Sequence, residues 1–239
     1  FYGCSGLTSI TIPFVGERAD GTGATYFGYI FGASRYLDNG SYVPKTLKEV
    51  IITGGTSITG HGFSGCSSLT SIKIPDSVTS IGEYAFGYCI GLTSVTIPGS
   101  VTSIGEYAFG DCSGLTSVTI PGSVTSIGEY AFDDCSGLTS VTIGEGVKSI
   151  GKYAFNDCGG LTDVYYQGDL SGWSEIEFGD NYAIPMYYAD NLYINGELLQ
   201  GDIVIPDGTE KIGAFAFSYC NGLTSVVIPD SVTSIGGYA

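Results

Sequence analysis

The sequence predicts an α/β fold built as a solenoid: a right-handed, horseshoe-shaped coil with one long parallel sheet and short strand or 3-10 segments on its convex side. The first observation is that five of the seven cysteines follow one another at intervals of 23 residues. The second is that residues 78–86, 101–109 and 124–132 agree almost letter for letter. A fixed period of this length is typical of stacked units that each contact only their neighbours. We therefore predict a single solenoid domain over residues 1–239. The regularly spaced cysteines are Cys66, Cys89, Cys112, Cys135 and Cys158.

The first element of each unit is a strand. Leu92, Val95 and Ile97 match the L-x-x-L-x-L pattern of a leucine-rich-repeat strand. Because side chains alternate along a strand, Val95 and Ile97 are expected to point inward, with Ser94 and Thr96 pointing outward. We expect nine such strands to pair in one parallel sheet. They begin at Leu7, Leu47, Leu69, Leu92, Leu115, Leu138, Leu161, Gln200 and Leu223.

The second half of each unit turns the chain back toward the next strand. Residues 98–99 end the strand, and a second short extended segment directs Val101 and Ile104 inward. One turn of helix or 3-10 helix is then expected to bury Ala108 and Phe109. A unit of 23 residues is too short to contain a long outer helix, so the parallel sheet is expected to dominate the fold.

The repeat unit resembles that of the BspA-like leucine-rich repeat family. It reads Ile-Pro-x-Ser-Val-Thr-Ser-Ile-Gly-x-Tyr-Ala-Phe-x-x-Cys-x-x-Leu-Thr-Ser-Val-x-Ile, and the resemblance covers about three quarters of the chain. Members of this family are mostly secreted or surface proteins of bacteria. The resemblance implies a secreted or cell-surface adhesion and protein-binding module without catalytic activity. Its partner would be a host, matrix or other cell-surface protein, or a glycan, whose identity does not follow from the fold.

A second class of function also fits the repeats, that of an architectural spacer with no specific ligand of its own. Nearly identical repeats with uniform outward faces favour the spacer, whereas aromatic insertions favour recognition. Neither a pair of carboxylates nor a nucleophile with its base stands out in the sequence. We therefore predict no catalytic residue, no cofactor and no enzymatic activity.

The charge of the chain argues against two kinds of partner. Its formal net charge is −16, with only eight Lys and Arg residues. Binding to nucleic acid or to an anionic membrane surface depends on clustered Lys and Arg, so neither partner is predicted. The sequence contains no run of 18 apolar residues, so we predict no membrane insertion. It begins and ends within a repeat and shows no signal peptide, and we interpret it as a section of a longer protein.

Two segments, residues 14–46 and 165–199, interrupt the repeats. Each lengthens one interval between cysteines from 23 to 62 residues. Insertions in solenoids map to loops on one face, which is often the binding face. The second insertion places aromatic rings beside carboxylates, a combination that suits sugars or cationic groups. The predicted ligand-binding residues are Tyr165, Trp173, Tyr187 and Tyr188, together with the adjoining strand residues Ser140 and Thr142.

The alternative is that these aromatic side chains fold back and cover the solenoid core. An insertion of this length has to bury apolar surface to stay ordered, and residues 191–196 look like a strand and a turn. Solvent exposure of Trp173, Tyr187 and Tyr188 distinguishes the two interpretations.

The cysteines and the single histidine are expected to be structural. No two cysteines are closer than 23 residues, so zinc-binding pairs are absent. A disulfide ladder between coils is the alternative to free thiols, but bridging needs converging Cβ vectors rather than parallel ones. We predict buried, reduced thiols. His61 stands where other repeats have tyrosine, and we expect it to substitute for that ring.

Two rows of outward residues have less specific interpretations. Asp111, Asp134 and Asp157 recur every 23 residues, and we expect them to be solvated in turns, with a shared Ca²⁺ as the alternative. No metal site is predicted. The outward Ser and Thr residues of the strands favour a broad, weakly charged protein-binding surface. Ice binding, the alternative for such hydroxyl rows, needs a flat face, and this face should be concave.

Overall fold

The computed structural model describes residues 1–239, which form a solenoid of stacked parallel-stranded coils with little helix. Its main sheet has nine strands, and every neighbouring pair is parallel except the last. The order across this sheet is β1 (Ser9–Ile12), β2 (Glu49–Ile52), β4 (Ser71–Lys73), β6 (Ser94–Thr96), β8 (Ser117–Ile120), β10 (Ser140–Ile143), β12 (Asp163–Tyr166), β14 (Asn191–Ile194) and β15 (Glu197–Leu198).

A second parallel sheet runs along the other side of the coils, as the second extended segment predicts. Each of its six strands has two residues, and isoleucine points inward in five of them. In order they are β13 (Glu177–Phe178), β11 (Ser149–Ile150), β9 (Ser126–Ile127), β7 (Ser103–Ile104), β5 (Ser80–Ile81) and β3 (Ser57–Ile58).

The turn between these two sheets differs from the helix or 3-10 turn that the sequence predicts. In the regular repeats it is a hydrogen-bonded turn, and its tyrosine has left-handed backbone geometry, with φ 49° at Tyr107 and 55° at Tyr130. A left-handed residue interrupts a right-handed helix, so no regular helix forms there. The helices lie in the insertions instead: 3-10 helices at Phe27–Phe31, Tyr36–Asp38 and Pro185–Tyr187, α1 at Asn39–Tyr42 and α2 at Leu170–Ser174. None of them is long and apolar enough to cross a membrane.

Equivalent residues of successive repeats stack directly on one another in the core. Val95, Val118 and Val141 are in register on neighbouring strands. The buried rings of Phe86 and Phe109 stack nearly parallel with their centroids 5.1 Å apart, and the phenylalanine stack extends from Phe63 to Phe155. Four cysteines lie beside this stack, and each thiol donates to a phenylalanine carbonyl of the preceding coil; they are Cys89, Cys112, Cys135 and Cys158.

At the end of the main sheet the strands differ from the predicted ones. Strand β14 lies inside the second insertion, yet it pairs with β12 and continues the sheet. After the Asn195–Gly196 turn, β15 returns antiparallel and ends the sheet. The two last predicted strands, near Gln200 and Leu223, therefore pair only with each other. They form β16 (Gly201–Val204) and β18 (Leu223–Val227), beside a second pair, β17 (Lys211–Ile212) and β19 (Ser234–Ile235).

The first insertion covers the beginning of the phenylalanine stack. Phe27 is buried with its ring centroid 4.9 Å from that of Phe63. The buried side chain of Asn39 fixes the segment, because it accepts from the Gly28 amide at 2.7 Å and donates to the His61 carbonyl at 3.2 Å. This insertion thus contributes to the core.

Candidate ligand-binding surface

The outward face of the main sheet presents rows of hydroxyl groups. Ser117 is in register with Ser140, and Thr119 with Thr142. None of these four hydroxyls hydrogen-bonds within the chain, whereas the threonines just before the strands bond to the preceding coil. The rows are therefore free to exchange hydrogen bonds with water or with a ligand.

A pair of stacked tyrosines interrupts these rows at the end of the sheet. Tyr165 occupies the position of Thr142 in the next coil, and Tyr193 occupies it one coil further. Their rings are 4.7 Å apart at an interplanar angle of 14°, and Tyr165 is 37% exposed. Partial burial raises the pKa of Tyr165, and the nearby charge of Asp163 adds to the shift. The pair forms a wall beside the hydroxyl rows.

A fixed carboxylate lies next to this wall. Asp163 is in register with Ser140 on one side and Asn191 on the other. The Asn191 side-chain amide donates to Asp163 Oδ1 at 3.0 Å, and the Thr162 hydroxyl, 2.8 Å from Oδ2, shares its one proton between Oδ2 and the Thr139 carbonyl at 3.1 Å. Each carboxylate oxygen keeps a second lone pair for a further donor.

A polar cleft of about 460 Å³ lies at the carboxyl ends of the same strands. The Gln167 and Asn195 amides continue the strand hydrogen bonding, at 2.9 Å to the carbonyls of Ile143 and Tyr166. Gln167 directly follows β12, and Asn195 directly follows β14 in a turn with φ 49°. The cleft thus lies just beyond the ends of the two strands that carry the tyrosine pair, and neither tyrosine lines it. Its side-chain lining is Glu145, Tyr166, Gln167, Asp169 and Asn195.

Of the six predicted ligand-binding residues, the structure brings together Ser140, Thr142 and Tyr165. Trp173 does not belong to this surface, because its side chain is completely buried. Its ring packs against Tyr166 and Phe178, and its indole N–H donates to the Ala216 carbonyl at 2.8 Å. For Trp173 the alternative interpretation, an aromatic residue that covers the core, is the one the structure supports.

Tyr187 and Tyr188 lie before β14 and are only partly exposed. The Tyr188 hydroxyl accepts from the Asp157 amide at 2.9 Å. The Tyr187 ring packs against Tyr182 and Tyr219, at 5.0 Å from each. Both side chains thus have structural partners along the edge that precedes the main-sheet strands.

A ladder of aromatic rings on this edge was missed by the sequence analysis, although the 23-residue spacing of the tyrosines was its signal. The distance between successive ring centroids ranges from 3.9 to 5.4 Å. Because each interior ring is covered on both faces, the ladder presents ring edges to solvent and offers a ligand no open face except at its ends. His61 substitutes for a tyrosine in it, as predicted. Its members are Tyr36, His61, Tyr84, Tyr107, Tyr130, Tyr153 and Tyr182.

The acidic row lies near this ladder. Carboxylate oxygens of Asp133, Asp134 and Asp157 lie within 4.8 Å of one another, and the Asn156 amide donates to Asp133 and Asp157. Desolvation raises the pKa of Asp111, and the charge of Asp134 adds to it. Exposed carboxylates at such distances are common without an ion, so the arrangement alone assigns no metal.

The cysteines are free, as predicted, and the five of the 23-residue series are buried. Burial raises the pKa of their thiols, so they stay protonated at neutral pH. A protonated and inaccessible thiol is a poor nucleophile.

Comparison with known proteins connects this architecture to a family. The profile described as "BspA type Leucine rich repeat region (6 copies)" matches residues 56–184 and 191–239. A leucine-rich repeat protein from Bacteroides ovatus is 23% identical, with a TM-score of 0.58 over 97% of this chain and 72% of that chain. One from Eubacterium ventriosum is 22% identical, with a TM-score of 0.50 over 86% of this chain and 54% of that chain. At such identities these likenesses show the fold alone. No curated protein gives a significant match.

Proposed function

The chain belongs to the BspA-type leucine-rich repeat family, and on that premise we propose that it is a non-catalytic interaction module at the cell surface or outside the cell. Its ligand contacts centre on Tyr165 and extend onto Ser140 and Thr142. The observation that supports this site is the change from hydroxyl rows to a stacked tyrosine pair in the register of one sheet face.

The proposed surface has the properties of a preformed contact site. Tyr165 is held by Tyr193 and still exposes more than a third of its surface. Tyrosine is among the residues that contribute most to binding energy at interfaces, and a fixed ring loses little conformational entropy on binding. The partner is a host, matrix or other cell-surface protein, or a glycan. The excess of acidic groups favours basic or neutral ligands over acidic ones.

The test compares the chain with a variant that restores the repeat residue. Tyr165→Thr introduces the residue found at the equivalent position of the preceding coil. The matched control is Tyr88→Asp, since Tyr88 is 51% exposed and stands where the following coil has Asp111. Both variants are assayed on an array of extracellular-matrix proteins, mucins and glycans, after circular dichroism has confirmed that they fold.

We expect Tyr165→Thr to weaken, and Tyr165→Thr/Tyr193→Thr to abolish, the binding that the parent chain and Tyr88→Asp retain. Binding that is unchanged in Tyr165→Thr, and also in a Tyr165→Thr/Tyr193→Thr double variant, would refute the site. If the parent chain itself binds nothing on the array, the architectural spacer becomes the better function.

A further inference from the structure

We infer that the slot beside Tyr165 binds one pyranose ring of a neutral glycan, an inference that rests on the proposed function and specifies its ligand class. The slot is defined by Tyr165 as its wall and by Thr142 and Thr119 as its floor. Its second boundary is the fixed carboxylate of Asp163.

The dimensions of the slot follow from the strand register. Tyr193 and Tyr165 stand on consecutive strands with their rings 4.7 Å apart. Thr142 is the next residue in this row, and its side chain ends close to the sheet. The space above it is therefore bounded on one side by the face of Tyr165 that no other ring covers. A pyranose is a six-membered ring close in size to the tyrosine ring, and its axial C–H groups pack against an aromatic face.

Hydrogen-bonding groups lie beneath this space and along the strand of Tyr165. The Thr142 and Thr119 hydroxyls lie below it without partners in the chain. Asp163 Oδ1 accepts from the Asn191 amide and Oδ2 shares the Thr162 proton with the Thr139 carbonyl, so both oxygens keep capacity for a sugar hydroxyl. Gln167, two residues beyond Tyr165, lines the polar cleft and offers both a donor and an acceptor.

The negative charge around the slot favours neutral sugars over acidic ones. Asp163 adjoins the wall, and Glu145 and Asp169 line the neighbouring cleft, which has no Lys or Arg among its lining residues. A uronic or sialic acid would bring a carboxylate toward these groups and be repelled. Neutral hexoses and N-acetylhexosamines meet no such repulsion, and the cleft gives room for a second residue of the chain.

The aromatic ladder along the edge that precedes the main-sheet strands does not offer an equivalent site. Its interior rings, such as those of Tyr107 and Tyr130, are stacked on both faces. Tyr165 differs because only one of its faces is covered by a ring. This difference makes the inference specific to one residue.

The experiment measures binding of neutral hexose and N-acetylhexosamine tetramers by saturation-transfer NMR and calorimetry. An oligogalacturonate of the same length is the anionic probe. The Tyr165→Thr/Tyr193→Thr double variant removes the wall, because Tyr165→Thr alone would uncover the Tyr193 ring one coil further on. Tyr165→Phe keeps the ring and removes the hydroxyl, and Asp163→Asn removes the charge at nearly constant shape. Tyr88→Asp again serves as the control for an exposed tyrosine.

We expect at least one neutral tetramer to bind, with its Kd raised roughly tenfold in Tyr165→Thr/Tyr193→Thr and changed less than about twofold in Tyr165→Phe. The galacturonate should bind with a higher Kd than the neutral probe, and Asp163→Asn should reduce the ratio of the two Kd values. Absence of neutral-glycan binding, equal Kd values for the parent chain and Tyr165→Thr/Tyr193→Thr, or preference for the galacturonate would each overturn the inference. If a protein ligand nevertheless needs Tyr165, only the sugar assignment fails, whereas ligands indifferent to Tyr165 also refute the proposed site.

Discussion

Trp173 is predicted to connect the long core of the solenoid to the small core of its last coils. The indole N–H crosses from the second insertion to the Ala216 carbonyl at 2.8 Å. Beside it, the Gly213 amide donates to the Ser174 carbonyl at 2.7 Å. Ala216 belongs to a separate cluster of four buried residues, with Ile203, Ile205 and Ile212. The Trp173→Phe variant removes the indole hydrogen bond and retains an aromatic ring.

The expected cost follows from two effects. A buried carbonyl that loses its donor costs about 1–3 kcal/mol. The smaller ring also leaves a void, because the Trp173 side chain is completely buried. This void adds about 1 kcal/mol to the cost when the neighbouring side chains relax only in part. We therefore expect Trp173→Phe to lower the free energy of unfolding by about 2–4 kcal/mol, and Trp173→Ala by about 3–5 kcal/mol.

The assay is urea unfolding followed by far-UV circular dichroism, combined with native-state hydrogen exchange. Because coils of a solenoid interact mainly with their neighbours, the loss should be local. Amides of β16 to β19 should exchange faster in Trp173→Phe, whereas those of β6 to β10 should not change. Phe109→Ala, in the middle of the repeats, is the matched control and should show the reverse pattern. An unchanged urea midpoint, or equal acceleration in both regions, would refute the proposed connection.

Four further predictions concern stability and reactivity. Phe109→Ala should cost about 3–5 kcal/mol because its ring is fully buried, and Tyr107→Ala clearly less because that ring is partly exposed; equal urea midpoints would contradict this. Among the thiols, exposed Cys4 should react rapidly with a thiol reagent, and the five buried ones only after unfolding, as mass spectrometry of labelled peptides can show. His61→Tyr should raise the free energy of unfolding by about 1 kcal/mol, since His61 Nδ1 is buried without a partner; a lower urea midpoint would contradict it. The pKa of Asp111 is higher in the folded chain than in the unfolded chain, so the protonated carboxyl stabilises the folded state. The free energy of unfolding should therefore fall as pH rises from 3.8 through the raised pKa, and this fall should be absent from the unfolding curves of Asp111→Asn.

The regular part of the fold could be predicted because every repeat carries the same apolar residues at the same spacing. Alternation identifies Val95 and Ile97 as inward residues, and the structure buries both. The 23-residue period alone aligns Phe109 and Cys112 with their equivalents, and both are fully buried. A pattern within one repeat suffices to predict the packing, because each coil packs against neighbouring coils that have the same sequence pattern.

The second insertion could not be predicted in the same way, because its contacts are with residues that do not repeat. The partner of Trp173 is the Ala216 carbonyl, 43 positions away. Strand β14 lacks the repeat's leucine spacing, and only its pairing with β12 reveals that it extends the main sheet. The left-handed tyrosines were missed for another reason, since φ depends on hydrogen bonds between coils, such as that from the Tyr107 amide to the Glu129 carbonyl.

The same repetition that makes the fold predictable also limits where a specific ligand can bind. A partner that contacts Ser117 and Thr119 would meet the same groups one coil away, at Ser140 and Thr142, and could shift along the sheet by about 4.8 Å at little cost. A single register therefore requires a residue that the neighbouring coils lack. Tyr165 is such a residue on this face, because the coil before it has threonine and the coil after it covers its other side. Extending the wall by one coil with Thr142→Tyr, which covers the open face of Tyr165, should accordingly move the bound ligand onto Thr119 rather than abolish binding.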